Sequence, residues 1–220
     1  RLLAEIFHPD ALVAITLQSL STSLPDMALN GLERIASIVP HDQLRTVCST
    51  KSRLSQLLNI CGASPFLTNI LCRDPSYLHD LFIEKRIDRR RQPGESVAEL
   101  KGIVGESSDY PAVLPVLRRF KYAEVLRIAA RDLSGLAPLE EVTLELTQLA
   151  EATLQVAHDV ARKSLVAEHG EPMMETPQGR EPAELTVLGM GKFGGQELNF
   201  SSDIDIICLY SSDNGETEGV

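Results

Sequence analysis

Apolar residues recur at helical spacing through most of this chain. Leu54, Leu57, Leu58 and Cys61 stand at i, i+3, i+4 and i+7, one face of a helix, with Gly62 placed as its C-cap. Ala28, Leu32, Ile35 and Val39 form another stripe behind Ser23-Leu24-Pro25-Asp26, which has the form of a capping box with proline in the first turn. Ser64-Pro65 and Asp74-Pro75 open short helices carrying Phe66, Ile70 and Leu71, then Leu78, Leu81 and Phe82. Two longer helices follow, one from about Pro111 to Leu133, stopped by Gly135, the other from near Pro138 to Gly170. The second carries Val142, Leu146, Leu149, Thr153, Val156 and Val160 on one face, the pattern of an amphipathic core helix. Residues 1–170 therefore predict one helical domain, a compact bundle.

The period then changes. Gly170 to Pro182 holds three prolines and two glycines, which breaks any helix and predicts a linker over 171–182. Leu185-Thr186-Val187-Leu188 and Ile204 to Tyr210 are strand-like runs. A β-type unit thus begins near residue 183, with about two strands expected before the chain stops. The predicted class is mainly α, a helical bundle followed by the start of an α/β domain that is incomplete at the C-terminus. The chain opens on Arg1 and closes in an acidic loop, and so reads as a piece of a longer protein.

Composition narrows the function. At 220 residues the chain is long enough for a sizeable core, and 43% hydrophobic with 24% charged residues is ordinary globular usage. The balance of 31 acids against 21 Lys and Arg argues against coating a nucleic acid, and 5% aromatics without Trp argue against base stacking. No apolar run is long enough for a membrane span. Cys48, Cys61, Cys72 and Cys208 form no CxxC pair and read as free thiols of a reducing cytoplasm.

Candidate chemistry concentrates between Leu188 and Asp205. Gly189, Gly191 and Gly194 fit G-x-G-x-x-G, but only Gln196 to Ser202 remain for a helix, too few for a dinucleotide site. Lys192 is followed by Phe193, so a Walker A loop fails as well. What remains is a strand, a glycine turn, a short helix and a strand opening on Asp203-Ile204-Asp205. Residues i and i+2 of a strand share a face, so both carboxylates are expected at one spot, where a cation relieves their repulsion. All-oxygen ligation suits Mg²⁺, with Mn²⁺ as its substitute. Gly194 and Gly195 would admit a phosphate to backbone N–H groups, and Ser202 would add a hydroxyl. This is a layout for metal-assisted nucleotidyl transfer. The alternative is an exposed sheet edge with solvated acids and glycines that only turn the chain.

Two charged groups stand outside this block. Glu124, Arg127 and Arg131 line one side of a helix and read as an ion-pair network, or as groups facing a nucleotide or partner. Lys85, Arg86, Arg89, Arg90 and Arg91 read as a solvated loop. The five histidines lack ligand spacing for zinc.

The block Leu188-Gly-Met-Gly-Lys-Phe-Gly-Gly-Gln-Glu-Leu-Asn-Phe-Ser-Ser-Asp-Ile-Asp205 resembles the signature of the bacterial glutamine synthetase adenylyltransferase/adenylyl-removing enzymes, of the DNA polymerase β-like nucleotidyltransferase superfamily. Leu117 to Gly135, Ser64-Pro-Phe-Leu and Arg73-Asp-Pro75 resemble the same family. The resemblance implies Asp203 and Asp205 as catalytic, metal-binding residues and Gly194, Gly195 and Ser202 as the nucleotide- and phosphate-side loop. It implies glutamine synthetase as protein substrate, ADP or ATP and phosphate as small ligands, and the PII signal protein as a partner of the full-length enzyme. Asn-Phe-Ser-Ser-Asp-Ile-Asp resembles the adenylyl-removing half, which transfers AMP from a glutamine synthetase tyrosine to phosphate and gives ADP. The adenylylating half, or a helical module that only binds a partner, are the competing readings. The family's third carboxylate has no counterpart between Ile206 and Val220, since Asp213 falls in a polar turn. The 220-residue chain alone is accordingly expected to be inactive.

Overall fold

The computed structural model describes residues 1–107 and 109–217. Eleven α-helices lie among them: α1 (Leu2–Ile6), α2 (Pro9–Ser19), α3 (Pro25–Ala36), α4 (His41–Cys48), α5 (Lys51–Ala63), α6 (Pro65–Arg73), α7 (Ser76–Leu78), α8 (Glu95–Val104), α9 (Tyr110–Leu133), α10 (Leu139–His169) and α11 (Gly191–Gly194). A π-helical turn over His79–Ile83 continues α7. Five short strands follow α10: β1 (Pro172–Thr176), β2 (Gly179–Pro182), β3 (Leu185–Met190), β4 (Asp205–Tyr210) and β5 (Glu216–Thr217). The mainly-α reading with the beginning of an α/β part holds.

Contacts divide the chain into two compact units, one of Arg1–Arg90 with Tyr122–Val142, the other of Arg91–Lys121 with Thr143–Val220. The helical sequence up to residue 169 is thus shared between two units. In the first, Leu32, Ile35, Leu44, Leu57, Leu58 and Leu71 are wholly or almost wholly buried. Helix starts here are chemically conventional. Thr50 and Ser64 cap α5 and α6 by accepting the N–H of Arg53 and of Leu67, and Pro65 occupies the first turn of α6. Ser23, by contrast, caps nothing, because α3 starts from Leu24 with no side-chain cap. Gly62 is not a C-cap either. It is buried inside α5, and a Cβ there would come within 3.0 Å of the Thr22 Cβ and 3.3 Å of the Ala28 Cβ. The glycine is needed for close packing.

In the second unit the core comprises Leu100, Val113, Phe120, Leu146, Leu149, Ala152, Val156 and Val160 among others. Gly170 ends α10 in the left-handed region at φ +81°. The segment expected as a linker is instead a β-hairpin, with β1 antiparallel to β2 in the register Met173↔Pro182 to Thr176↔Gly179. Its prolines sit at the strand ends and in the two-residue turn, and Gly179 takes φ +121°. Turn residues dense enough to suggest a linker are those a tight hairpin also needs. Strand β5 pairs with the other edge of β1, so β-structure among the described residues exceeds the two strands expected. Strands β3 and β4 form a separate antiparallel ribbon, in register from Leu185↔Tyr210 to Met190↔Asp205.

Candidate functional site

The glycine block and Asp205 meet at one end of the β3–β4 ribbon, with Asp203 in the loop just before β4. Register places Met190 opposite Asp205, and the chain leaves β3 directly into α11. The short helix lies within the glycine stretch itself. Residues 196–202, expected to hold a short helix, run without regular structure apart from turns at 196 and at 200–201.

Each glycine has its own local reason. A Cβ on Gly189 would lie 2.8 Å from the Phe193 ring, and one on Gly194 would lie 2.4 Å from the carbonyl oxygen of Gly189. No side chain fits at Gly194, because α11 folds back onto the backbone of β3. Gly191 enters α11 at φ +51°, and a Cβ there would stand 3.4 Å from the Asp205 Oδ2. That contact brings the Asp205 carboxylate beside the start of the glycine turn. Gly195 has no such constraint, and its N–H donates to the Gly191 carbonyl at 2.9 Å, so that amide is not open for a phosphate.

Strand β4 begins at Asp205, two residues later than Asp203-Ile204-Asp205 suggested. The same-face rule therefore fixes Asp205 alone, and loop backbone places Asp203. Both aspartates are exposed, and neither carboxylate makes a hydrogen bond or ion pair among the described residues. Ser202 is half-buried. Its hydroxyl donates to the Asn199 Oδ1 at 2.9 Å and its N–H to the Asn199 carbonyl at 3.2 Å. The Ser201 N–H reaches the same Oδ1 at 3.1 Å. Asn199 thus organises the turn before Asp203, and a phosphate on Ser202 would have to exchange that hydroxyl bond.

Sequence reasoning passed over the residues that anchor this loop. Phe193 and Leu198 are the two buried side chains between Gly189 and Tyr210, and the Leu198 N–H donates to the Thr147 Oγ1 of α10 at 3.3 Å. Large apolar side chains alone did not mark them, since Phe200 and Ile204 lie in the same loop and are exposed. Gln196 adds a left-handed turn at φ +59°.

The other charged groups are buried structural networks. In the first unit Arg127 Nε donates to Glu124 Oε2 at 3.0 Å and its Nη1 to the Arg89 carbonyl at 2.8 Å. Arg131 donates to the Ile87 carbonyl and, at 2.6 Å, to Glu141 Oε1. Arg86 and Arg90 pair with Glu124 and Glu141. The expected solvated loop of Lys85 to Arg91 is therefore largely tied down. In the second unit Arg91 is buried, its N–H donating to Glu145 and its guanidinium pairing with Glu99 at 2.7 Å. The Glu124–Arg127 pair follows helical spacing, whereas the partners of Arg86, Arg90 and Arg91 lie on other segments of the chain.

All four cysteines are free. Burial pushes the Cys48 and Cys61 thiols up to about 12. No helix among the described residues is long and apolar enough to cross a membrane.

The profile of the glutamate-ammonia ligase adenylyltransferase family matches residues 54–220, the stretch that holds the glycine block, the aspartates and Thr147. The chain belongs to that family. It is 41% identical over 163 residues to the bifunctional glutamine synthetase adenylyltransferase/adenylyl-removing enzyme of Thioalkalivibrio sulfidiphilus, covering 74% of this chain and 16% of the relative. The like-named enzyme of Nitrosococcus oceani is 39% identical over 195 residues, 86% of this chain and 19% of the relative. That of Shewanella loihica is 35% identical over 204 residues, 92% of this chain and 20% of the relative. The chain thus spans about a fifth of the length of these family members.

Proposed function

We propose that this chain carries the nucleotide-handling site of the adenylyl-removing half of a bifunctional glutamine synthetase adenylyltransferase/adenylyl-removing enzyme. The supporting observation is the Asp205 carboxylate, without a partner among the described residues, standing beside the glycine turn at Gly191. Relatives that share this segment carry that bifunctional name. The donor set fits a divalent cation, since exposed, all-oxygen carboxylates paired with no Lys or Arg among the described residues suit Mg²⁺ or Mn²⁺. Asp203 and Asp205 would hold it. Bound there, the metal supplies charge neutralisation at the transferring phosphate.

The protein's own contribution is positional. Gly194 lets α11 lie on the β3 backbone, which sets Asp205 against the glycine turn. Asn199 holds Ser202 and the approach to Asp203 in one turn. Phosphate groups of ADP or ATP would lie on the side of Gly194 and Ser202, with Ser202 exchanging its bond to Asn199, while the Gly195 amide stays bound to the Gly191 carbonyl and shapes the turn without contacting the phosphate. In this reading phosphate attacks the adenylyl group on a glutamine synthetase tyrosine, the bond to the phenolic oxygen breaks, and ADP leaves. The setting is cytoplasmic, consistent with four free thiols, and PII is the expected regulator of the whole enzyme.

The experiment is made in the protein at the length of its curated relatives. Asp203→Asn with Asp205→Asn should abolish phosphate-dependent ADP release from adenylylated glutamine synthetase and leave ATP-dependent adenylylation standing. The opposite pattern would assign this segment to the adenylylating half. Loss of neither activity would leave a helical binding module.

A further inference from the structure

Thr147 lies in the middle of α10, outside every motif of the chain, and is completely buried. Threonine is a poorer helix former than alanine, so its presence in a buried helix interior points to use of the hydroxyl. That hydroxyl is fully engaged. It donates to the Thr143 carbonyl at 2.9 Å, which turns its oxygen to accept the Leu198 N–H at 3.3 Å from a residue 51 positions away. A buried N–H that loses its acceptor is costly, so the bond is strongly selective for one placement of Leu198.

What Leu198 controls follows from the chain. It immediately precedes Asn199, whose side chain and carbonyl hold Ser201 and Ser202, and these lead directly into Asp203 and Asp205. The segment 199–204 has no ladder hydrogen bonds of its own, because β4 starts at Asp205. Its placement therefore depends on few attachments: the Phe193 and Leu198 side chains, the Asn199 turn and the Thr147 bond. We propose that Thr147 is a positioning residue, holding the 198–205 segment, and with it Asp203 and Asp205, in a single conformation. Its bearing on the metal rests on the reading of those carboxylates given above.

The test uses the 220-residue chain with Thr147→Val, Thr147→Ala and Thr147→Ser, and Asp203→Asn/Asp205→Asn as the metal control. Amide hydrogen exchange reads the segment directly, and Mn²⁺ titration followed by electron paramagnetic resonance reads the carboxylates. Thr147→Val and Thr147→Ala should speed exchange over 198–205 at least tenfold and weaken Mn²⁺ binding at least fivefold, with helical circular dichroism retained. Thr147→Ser, which keeps the hydroxyl, should restore both. Wild-type exchange in folded Val or Ala variants would overturn the proposal, as would a loosened segment in the Ser variant, which would assign the effect to the methyl group. Wild-type Mn²⁺ affinity in those variants would also overturn it, provided the double Asn control has lost binding. If wild type and the double Asn variant bind Mn²⁺ alike, the metal reading fails, and the exchange result alone decides whether Thr147 holds the segment.

Discussion

The buried ion pairs around Arg127 and the bare carboxylates around Asp205 put charge to opposite uses. In the first unit Glu124, Arg127 and Arg131 are almost sealed from solvent, and each is matched by a charge or a carbonyl. At the end of the β3–β4 ribbon Asp203 and Asp205 are exposed and matched by nothing among the described residues. A charge inside a protein must be paired because its desolvation is otherwise uncompensated, whereas one kept in water stays available to a ligand. The contrast separates groups that hold the fold from groups left open for chemistry.

The contrast can be broken most sharply by charge removal. Arg127→Ala leaves Glu124 buried without its closest cation and should cost about 3–5 kcal/mol, read by chemical denaturation. Asp205→Asn should stay within about 0.5 kcal/mol of wild type in the same measurement, as exposed substitutions do. Equal losses for the two would end the distinction. Gly194→Ala probes the middle ground, a backbone constraint at the candidate site. Its Cβ has no room beside the Gly189 carbonyl, and a loss of about 1–3 kcal/mol is expected.

Thiol chemistry sharpens the same comparison. Cys208, exposed on β4, should react with a disulfide reagent at pH 8 in the folded protein. Cys61, fully buried and held protonated, should react only on unfolding, and half-buried Cys48 should react more slowly than Cys208. Fast labelling of Cys61 would show an open first unit.

The smallest effect lies on the surface of the second unit. Burial alone would raise the Asp159 carboxyl, but hydrogen bonds from Lys101, at 2.7 Å, and Gln155 outweigh it and hold it below the ordinary value. Its folded pKa is therefore depressed. The stability it contributes is present above the unfolded value, about 3.9, and is lost as pH falls through the folded one. Asp159→Asn should cost less than about 1 kcal/mol at pH 7, and the difference from wild type should vanish near pH 2 in paired denaturation curves.

The helices were legible because helix formation is a local matter. Apolar residues at i, i+3, i+4 and i+7 marked the buried face of α5, Ser64-Pro65 marked the start of α6, and proline and glycine bounded α9 and α10 to within one or two residues. The site block was equally legible as a motif, since its glycines and acids fall within seventeen consecutive positions. What each residue does there depended on neighbours distant in sequence. Gly62 read as a cap until Thr22 and Ala28 were found against it. The prolines of 171–182 read as a linker until β2 paired with β1. The Lys85–Arg91 cluster read as solvated until Glu124, Glu141, Glu145 and Glu99 were found to hold most of it. Thr147 carried no signal at all, because its partner amide lies 51 residues away. Periodicity and turn chemistry act over a few residues and are written in the sequence. Burial, charge pairing and the placement of Asp203 and Asp205 arise only when segments far apart in the chain are packed together.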